Sequence, residues 1–437
     1  MNQQISILGG GPAGIAAAYF ANQKKLPFTL YEAQKRVGGN CQTISKTIQD
    51  EIFRYDTGAH RLHDKDPEIT QLIKDLLGDN LILVQAPSQI FHKNQFVDFP
   101  LSPYNLWQHL GSSIFLKASG EILKNKLFNT PIQNFKQLAL RQYGQTIAGQ
   151  FLLPYTQKLW GLPTEQLSTQ ITGNRLKGLD LKTFLIEQFQ GAISKTRHLD
   201  GAFYYPKYGY GMIAEALANA ISLNQLKTNH RIESIFHKNQ QITHLQVNNQ
   251  KIAVEQILST LPLPLTLRLL QPQAPSNLLE LAQNIQFRHI LLVVLFLDKP
   301  SLSNNATIYF ANPNIPFTRL VEPRNRSPFM SPPNKTALVL EYPFFGKVDS
   351  QVVVQAAIDL LIRQNFIQER EIIETDTYVM RNAYPVLKTG FEKNLKPIQD
   401  YLGQFKNLQF FGRNAAFHYT HLHNVMKDAK NCINAFS

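Results

Sequence analysis

Residues 5–33 read ISILGGGPAGIAAAYFANQKKLPFTLYEA, and the architecture turns on them. ISIL is a short apolar run, GGGPAG a glycine turn, IAAAYFANQKK a helix former, and FTLY a second apolar run ending in an acid. Strand, turn, helix, strand is how a parallel α/β sheet begins. Gly9, Gly11 and Gly14 occupy the three glycines of G-x-G-x-x-G. The first permits the tight turn, the second lets a pyrophosphate approach the backbone, and the third lets helix and strand pack closely. Pro12 suits the first helical turn, where its missing N–H costs nothing, and Ala13 completes the loop. The helix N-terminus presents N–H groups to phosphate oxygens. Glu32 stands eighteen residues after Gly14, at the end of the second strand. A carboxylate there accepts the hydroxyls of an adenosine ribose and disfavours a 2′-phosphate. The glycines alone are a weak signal; the full order through Glu32 makes it specific for a dinucleotide.

The bulk numbers bound the rest. A chain of 437 residues exceeds the usual size of one core, so two domains are expected. With 43% hydrophobic and 11% aromatic residues it is a globular protein. The net charge of +13 suits anionic partners, but no run of five or six Lys/Arg, recognition helix or RNA-binding aromatic signature accompanies it. No nucleic-acid partner is therefore expected. Two cysteines, Cys41 and Cys432, make neither a disulfide framework nor a zinc spacing, which fits a reducing compartment. His60, His63, His418, His421 and His423 share no spacing with a carboxylate or thiol, so no metal is expected. MNQQISILGG lacks the features of a signal peptide, and the longest apolar run, ILLVVLFL (290–297), is too short to span a bilayer. A cytoplasmic protein without a transmembrane segment is expected, with peripheral membrane contact left open.

KRVGGN (35–40) follows the acid. Here the chain resembles the FAD-binding amine-oxidase superfamily, whose members include protoporphyrinogen oxidases, monoamine oxidases and UDP-galactopyranose mutases. They carry E-A-x-x-R-x-G-G where this chain has Glu32-Ala33-Gln34-Lys35-Arg36-Val37-Gly38-Gly39. Within the superfamily it most resembles the mutases and the protoporphyrinogen-oxidase-like proteins. GAHRLH (58–63) is similar to the mutase GAHIFH, YTQKLWG (155–161) to YTKKQWG, IPFTRLVE (315–322) to VPYTRIIE, and FGRNAAFHY (411–419) to IGRLGTYRY.

The resemblance implies a Rossmann-type FAD domain with a mixed α+β substrate domain inserted twice. It implies that Gly9, Gly11, Pro12, Ala13, Gly14, Glu32, Ala33, Arg36, Gly38 and Gly39 hold FAD, and that Gly58, Ala59 and His60 line the flavin ring. Ile232, Gly412, Arg413 and Leu422 complete that set, with Arg413 at the pyrophosphate. Tyr155, Trp160, Tyr384 and Tyr419 would face the substrate, and Arg175 and Arg319 would meet a substrate diphosphate, for which a planar guanidinium is the better donor. His60, His63 and His421 are candidates to move a proton.

Two departures stand out. The mutases continue R-Y-L-D-M-D where this chain has His418-Tyr-Thr-His421-Leu-His423, so an active-site aspartate becomes histidine. The oxidases' flavin-facing lysine strand matches ILLVVLFLD, which offers Leu292 and no lysine; no cysteine lies near Gly412, so FAD is expected to be non-covalent. Two activities stay open: an FAD-dependent oxidoreductase of a small organic substrate, sugar nucleotides among the candidates, and a redox-neutral mutase-like isomerase. A flavoprotein without catalysis is a third.

Along the chain, 67–79 and 351–367 read as helices, and 136–161 as the longest helical stretch. Residues 203–221 read as a glycine-rich turn into a helix; 231–264 and 287–345 are strand-rich, and a helix closes the chain. The expected FAD domain is 1–63, 207–265 and 396–437; the substrate domain is 64–206 and 266–395.

Overall fold

The opening pattern forms as strand Ile5–Leu8, helix Pro12–Gln23 and strand Phe28–Tyr31 in the computed structural model, which describes residues 3–99, 101, 103–127, 131–172 and 202–436. Five strands make one sheet, in the order Leu408–Phe410, Gln256–Ser259, Ile5–Leu8, Phe28–Tyr31, Leu226–Lys227. Every pair is parallel. Ile5–Leu8 lies at the centre, and all four of its residues are buried, as a parallel strand covered on both faces must be. Ala16, Ala17, Ala18 and Ala21 are fully buried along the first helix. Side chains this small let the helix sit close to the sheet and to the final helix Leu422–Asn434.

The long apolar run becomes Phe287–Leu297, in a seven-stranded sheet. Its order is Ile372–Pro385, Phe287–Leu297, Thr336–Phe344, Arg319–Val321, Thr307–Phe310, Ser88–His92, Gln95–Phe99. Residues 290–297 are all buried, because antiparallel neighbours flank the strand and apolar clusters cover both faces. Helix Ser350–Arg363 covers one of them. The fourteen-residue strand Ile372–Pro385 has no clear alternation and no sequence expectation. It owes its extended form to pairing with Phe287–Leu297.

The expected helix over 136–161 is three pieces: Phe135–Ile147, a π turn Ala148–Leu152, and Leu153–Trp160. Gly144 breaks it with φ 71 and ψ 170. The break is locked from outside, since the Glu121 carboxylate accepts from Thr146 N at 2.7 Å and Thr146 Oγ1 at 2.9 Å. Residues 203–221 begin as a strand, Ala202–Pro206, before turning into helix Met212–Asn219. The strand pairs antiparallel with Leu81–Gln85. Among the described residues no helix is long and apolar enough to cross a membrane.

Candidate active site

The glycine turn builds a cradle whose tightness is measurable. A Cβ on Gly14 would lie 1.8 Å from the Gly9 carbonyl oxygen, so no other residue fits. Gly412 has φ +93, and a Cβ there would come within 2.8 Å of Ala13 Cβ, so the 411–414 turn rests directly on the first helical turn. Gly11, by contrast, has open space where its Cβ would stand, the opening a pyrophosphate needs. The Gly38-Gly39 loop closes one side, with Gly38 N donating to Gly10 O at 2.8 Å. Glu32 accepts from Gly10 N at 2.7 Å and Gln34 N at 2.8 Å. Each carboxylate oxygen keeps a lone pair for a ribose hydroxyl. Arg36 donates to Val37 O and Gly39 O and to Tyr378 Oη at 3.1 Å, bracing the paired glycines. Ala33 is exposed at the rim, and half-buried Ile232 opens strand Ile232–Lys238. Apart from these two, the donor set and clearances suit a dinucleotide pyrophosphate and ribose.

Residues 56–63 run from this cradle into the interior. Asp56 is buried and accepts from Tyr205 Oη at 2.5 Å, Thr43 Oγ1 at 2.6 Å and Tyr210 N at 2.9 Å. Gly58 has φ +118. His60 stacks on Tyr210 at 4.9 Å between centroids. Its Nε2 lies 2.8 Å from Thr57 O and 3.1 Å from Asn40 O. Both are acceptors, so Nε2 must donate, and Nδ1 is the acceptor of the neutral ring. Lost hydration lowers the His60 pKa, with Asp56 and the two carbonyls opposing. Ala59 is half-buried beside it, and the His63 ring lies 6.2 Å from Phe203. Arg326 is 2% exposed and donates to His60 O at 2.7 Å.

A second group gathers residues far apart in sequence. Trp160 is buried, its ring 5.7 Å from Tyr384 and 6.0 Å from Tyr419; the two tyrosines are 5.9 Å apart. Arg319 donates to Tyr384 Oη at 3.2 Å. Its Nε stands 2.6 Å from Glu341, an ionic contact whose N–H is not aimed along the line between the atoms. Burial works against the Arg319 charge, but Glu341 and the tyrosines around it raise its pKa further. Tyr155 stands 5.8 Å from Tyr309, and burial raises its pKa. On the same helix Lys158 donates to the carbonyls of Phe310, Asn312 and Phe317, pinning the helix to the segment that leads into Arg319. Burial brings its pKa down to about 7.

The C-terminal turn joins the two groups. Arg413 donates to Thr420 O at 2.5 Å and lies over the Tyr419 ring at 5.2 Å. The His421 ring is 5.8 Å from Tyr419 and stacks on His423. Half-buried Leu422 opens the last helix. Leu292 is fully buried in one apolar cluster with Val321, Val339 and Met380. Arg175 lies outside the described residues. No group of three or more His, Cys, Asp or Glu could hold a metal among the described residues.

Sequence reasoning passed over Asp56, Tyr205, Tyr210, Arg326 and Glu341. Glu341 left a signal, a charge inside the apolar TALVLEYPF (336–344). Arg326 left none among 44 basic residues.

Residues 12–361 match the family of flavin containing amine oxidoreductases. The chain is 33% identical over 95 residues to coproporphyrinogen III oxidase of Bacillus subtilis (strain 168), 20% of this chain and 19% of that protein. It is 24% identical over 177 residues to the mitochondrial protoporphyrinogen oxidase of Nicotiana tabacum, 38% of this chain and 34% of that one. The chain thus spans about a third or less of the length of these relatives. Among solved structures, reduced UDP-galactopyranose mutase superposes with a TM-score of 0.84 at 19% identity, over 99% of this chain and 95% of the other. Cyclohexylamine oxidase from Brevibacterium oxydans IH-35A gives 0.70 at 12% identity, over 100% and 99%. The fold is that of the flavin-binding amine oxidases, a Rossmann-type α/β architecture. Matched over most of its length, the chain belongs to the flavin containing amine oxidoreductase family, and FAD is its cofactor.

Proposed function

We propose that this chain is an FAD-dependent oxidoreductase whose small organic substrate carries an anionic group that meets Arg319. The carrying observation is the cluster of Trp160, Tyr384 and Tyr419, which Arg319, paired with Glu341, joins by donating to Tyr384. Tyr155 extends this wall through Tyr309, and Arg175 is assigned to the same anion. Aromatic faces exclude water and hold a flat or ring-shaped substrate, while the guanidinium fixes its orientation. When bound, FAD supplies a two-electron acceptor; the protein supplies position, charge and dryness. In this reading Gly9, Gly11, Pro12, Ala13, Gly14, Gly38, Gly39, Gly412 and Arg413 hold the pyrophosphate and Glu32 a ribose, with Arg36 bracing the loop. Gly58, Ala59 and His60 border the flavin ring, and Ile232 and Leu422 are assigned to the cofactor without a place along it. His60 can take a proton at Nδ1, because Nε2 is committed to carbonyls. His63 and His421 are the other proton carriers assigned. The thiol of Cys41 is half-buried, and lost hydration pushes its pKa up to about 11, which suits a non-covalent cofactor. The domain division given from sequence, and a cytoplasmic location, belong to the same reading.

The second reading is a redox-neutral isomerase of a sugar nucleotide. The likeness to reduced UDP-galactopyranose mutase favours it. His421 beside Tyr419 counts against it. The absorption spectrum of the purified protein is the first test, and absence of a flavin band before and after FAD addition would sink both readings. Anaerobic bleaching by an anionic organic substrate supports the oxidoreductase. Formation of UDP-galactofuranose from UDP-galactose on the reduced protein supports the isomerase instead.

A further inference from the structure

Between the two groups lies a small cavity of about 10 Å³. Asp56, Gly58, Tyr205, Arg326, Val339 and Glu341 contribute to its wall. Its volume is at the lower edge of what one water requires. The polar groups facing it are unusual. Arg326 Nε has no protein acceptor, although the guanidinium is 2% exposed and both its other nitrogens are engaged. Glu341 is 1% exposed, and neither carboxylate oxygen has an aligned donor despite the ionic contact with Arg319. Buried groups of this kind are rarely left without partners. Tyr205 spends its proton on Asp56, leaving its oxygen able to accept.

We propose that the cavity holds one ordered water, which accepts from Arg326 Nε and donates to Glu341, with Asp56 or Tyr205 as its third partner. This makes Arg326 and Glu341 positioning residues. On one side Arg326 holds the carbonyl of His60, on the loop that carries Gly58. On the other, Glu341 holds Arg319. The water links the substrate's arginine to the flavin's loop without a direct contact between them. The functional meaning of the link rests on the reading above; the water does not.

Val339→Ile adds a methyl group at the cavity wall and leaves every polar group in place. High-resolution crystal structures of the FAD-loaded parent and variant should show the water in the first and its loss in the second. The variant should melt roughly 1–3 °C lower, the cost of orphaned buried polar atoms, and the visible absorption maximum of its bound flavin should shift. Val339→Thr keeps the volume and should retain the water and the flavin spectrum, its buried hydroxyl lowering the melting point on its own account. A dry parent cavity, or a Val339→Ile variant that melts higher because a void was filled, overturns the site. A lower melting point with an unshifted flavin spectrum reports crowding alone and overturns the link. A chain that never binds FAD sinks the functional reading, yet the water is still read from the crystal.

Discussion

Arg413 makes the sharpest residue-scale case. The resemblance alone assigns it to the pyrophosphate, and in the structure it lies over Tyr419 with a carbonyl partner at Thr420. Removing a charged donor costs about 1.5–3 kcal/mol, so Arg413→Ala should weaken FAD binding roughly tenfold to a hundredfold in a fluorescence titration. Full retention of affinity would rule out its pyrophosphate role. Arg319 is different, since its partner is a buried carboxylate. Arg319→Ala leaves Glu341 uncompensated and should destabilise the fold by about 3–5 kcal/mol. The double change with Glu341→Ala should recover part of that in a denaturant titration. Arg319→Lys keeps the charge but loses the fork, and should raise KM for an anionic substrate more than it lowers kcat. Equal losses in a neutral substrate would argue that Arg319 only holds the fold.

At the scale of elements, caps and breaks carry the information. Helix Pro67–Leu77 begins at Asp66, whose carboxylate accepts from Ile69 N at 3.2 Å and pairs with Lys427 of the last helix. The cap therefore also ties an early helix to the C-terminus. Asp66→Ala should lower stability by about 1 kcal/mol, and Asp66→Asn by less, in thermal melts. Gly144 was hidden inside a helical pattern because its neighbours repeat at helical spacing. Only Glu121, from a separate helix, makes the break necessary. Gly144→Ala would face Glu121 at 2.9 Å in a left-handed backbone, and should destabilise by about 1–3 kcal/mol rather than improve the helix. A stabilised variant would show the break to be dispensable.

For the molecule as a whole, pH is the revealing variable. His92 and His109 share a hydrogen bond at 2.9 Å beneath Phe151. Burial lowers His92 to about 4, and lowers His109, His289 and His60 as well. The unfolded chain takes up these protons first, near pH 6.5. Stability is thus full above about 6.5 and falls as pH drops toward the folded values, by at most about 1.4 kcal/mol per pH unit for each proton. Melting temperature against pH should decline below that point, and less steeply in His92→Asn. Glu322 and Asp428, whose carboxyl pKa values burial raises, work in the opposite direction, so the comparison with His92→Asn decides, and equal slopes in parent and variant would contradict the neutral, buried assignment.

The dinucleotide cradle was legible because it is local. One turn, one helix N-terminus and one acid lie within 28 consecutive residues, and their chemistry constrains the backbone that carries them. The segments around Tyr155, Trp160, Arg319 and Tyr419 were legible only through resemblance, since no spacing along the chain predicts that their rings touch. Asp56 and Arg326 were not legible, and Glu341 showed only as a charge inside an apolar run, with nothing to say what it meets. Each is a charged residue made interior by strands that pair across the chain, as Arg319 pairs with Glu341 in register between neighbouring strands. Local patterns record the backbone preferences of neighbours. Burial of a charge, and the partner that makes it tolerable, is decided by long-range packing, so the cofactor's cradle could be read in sequence while the link behind it could not.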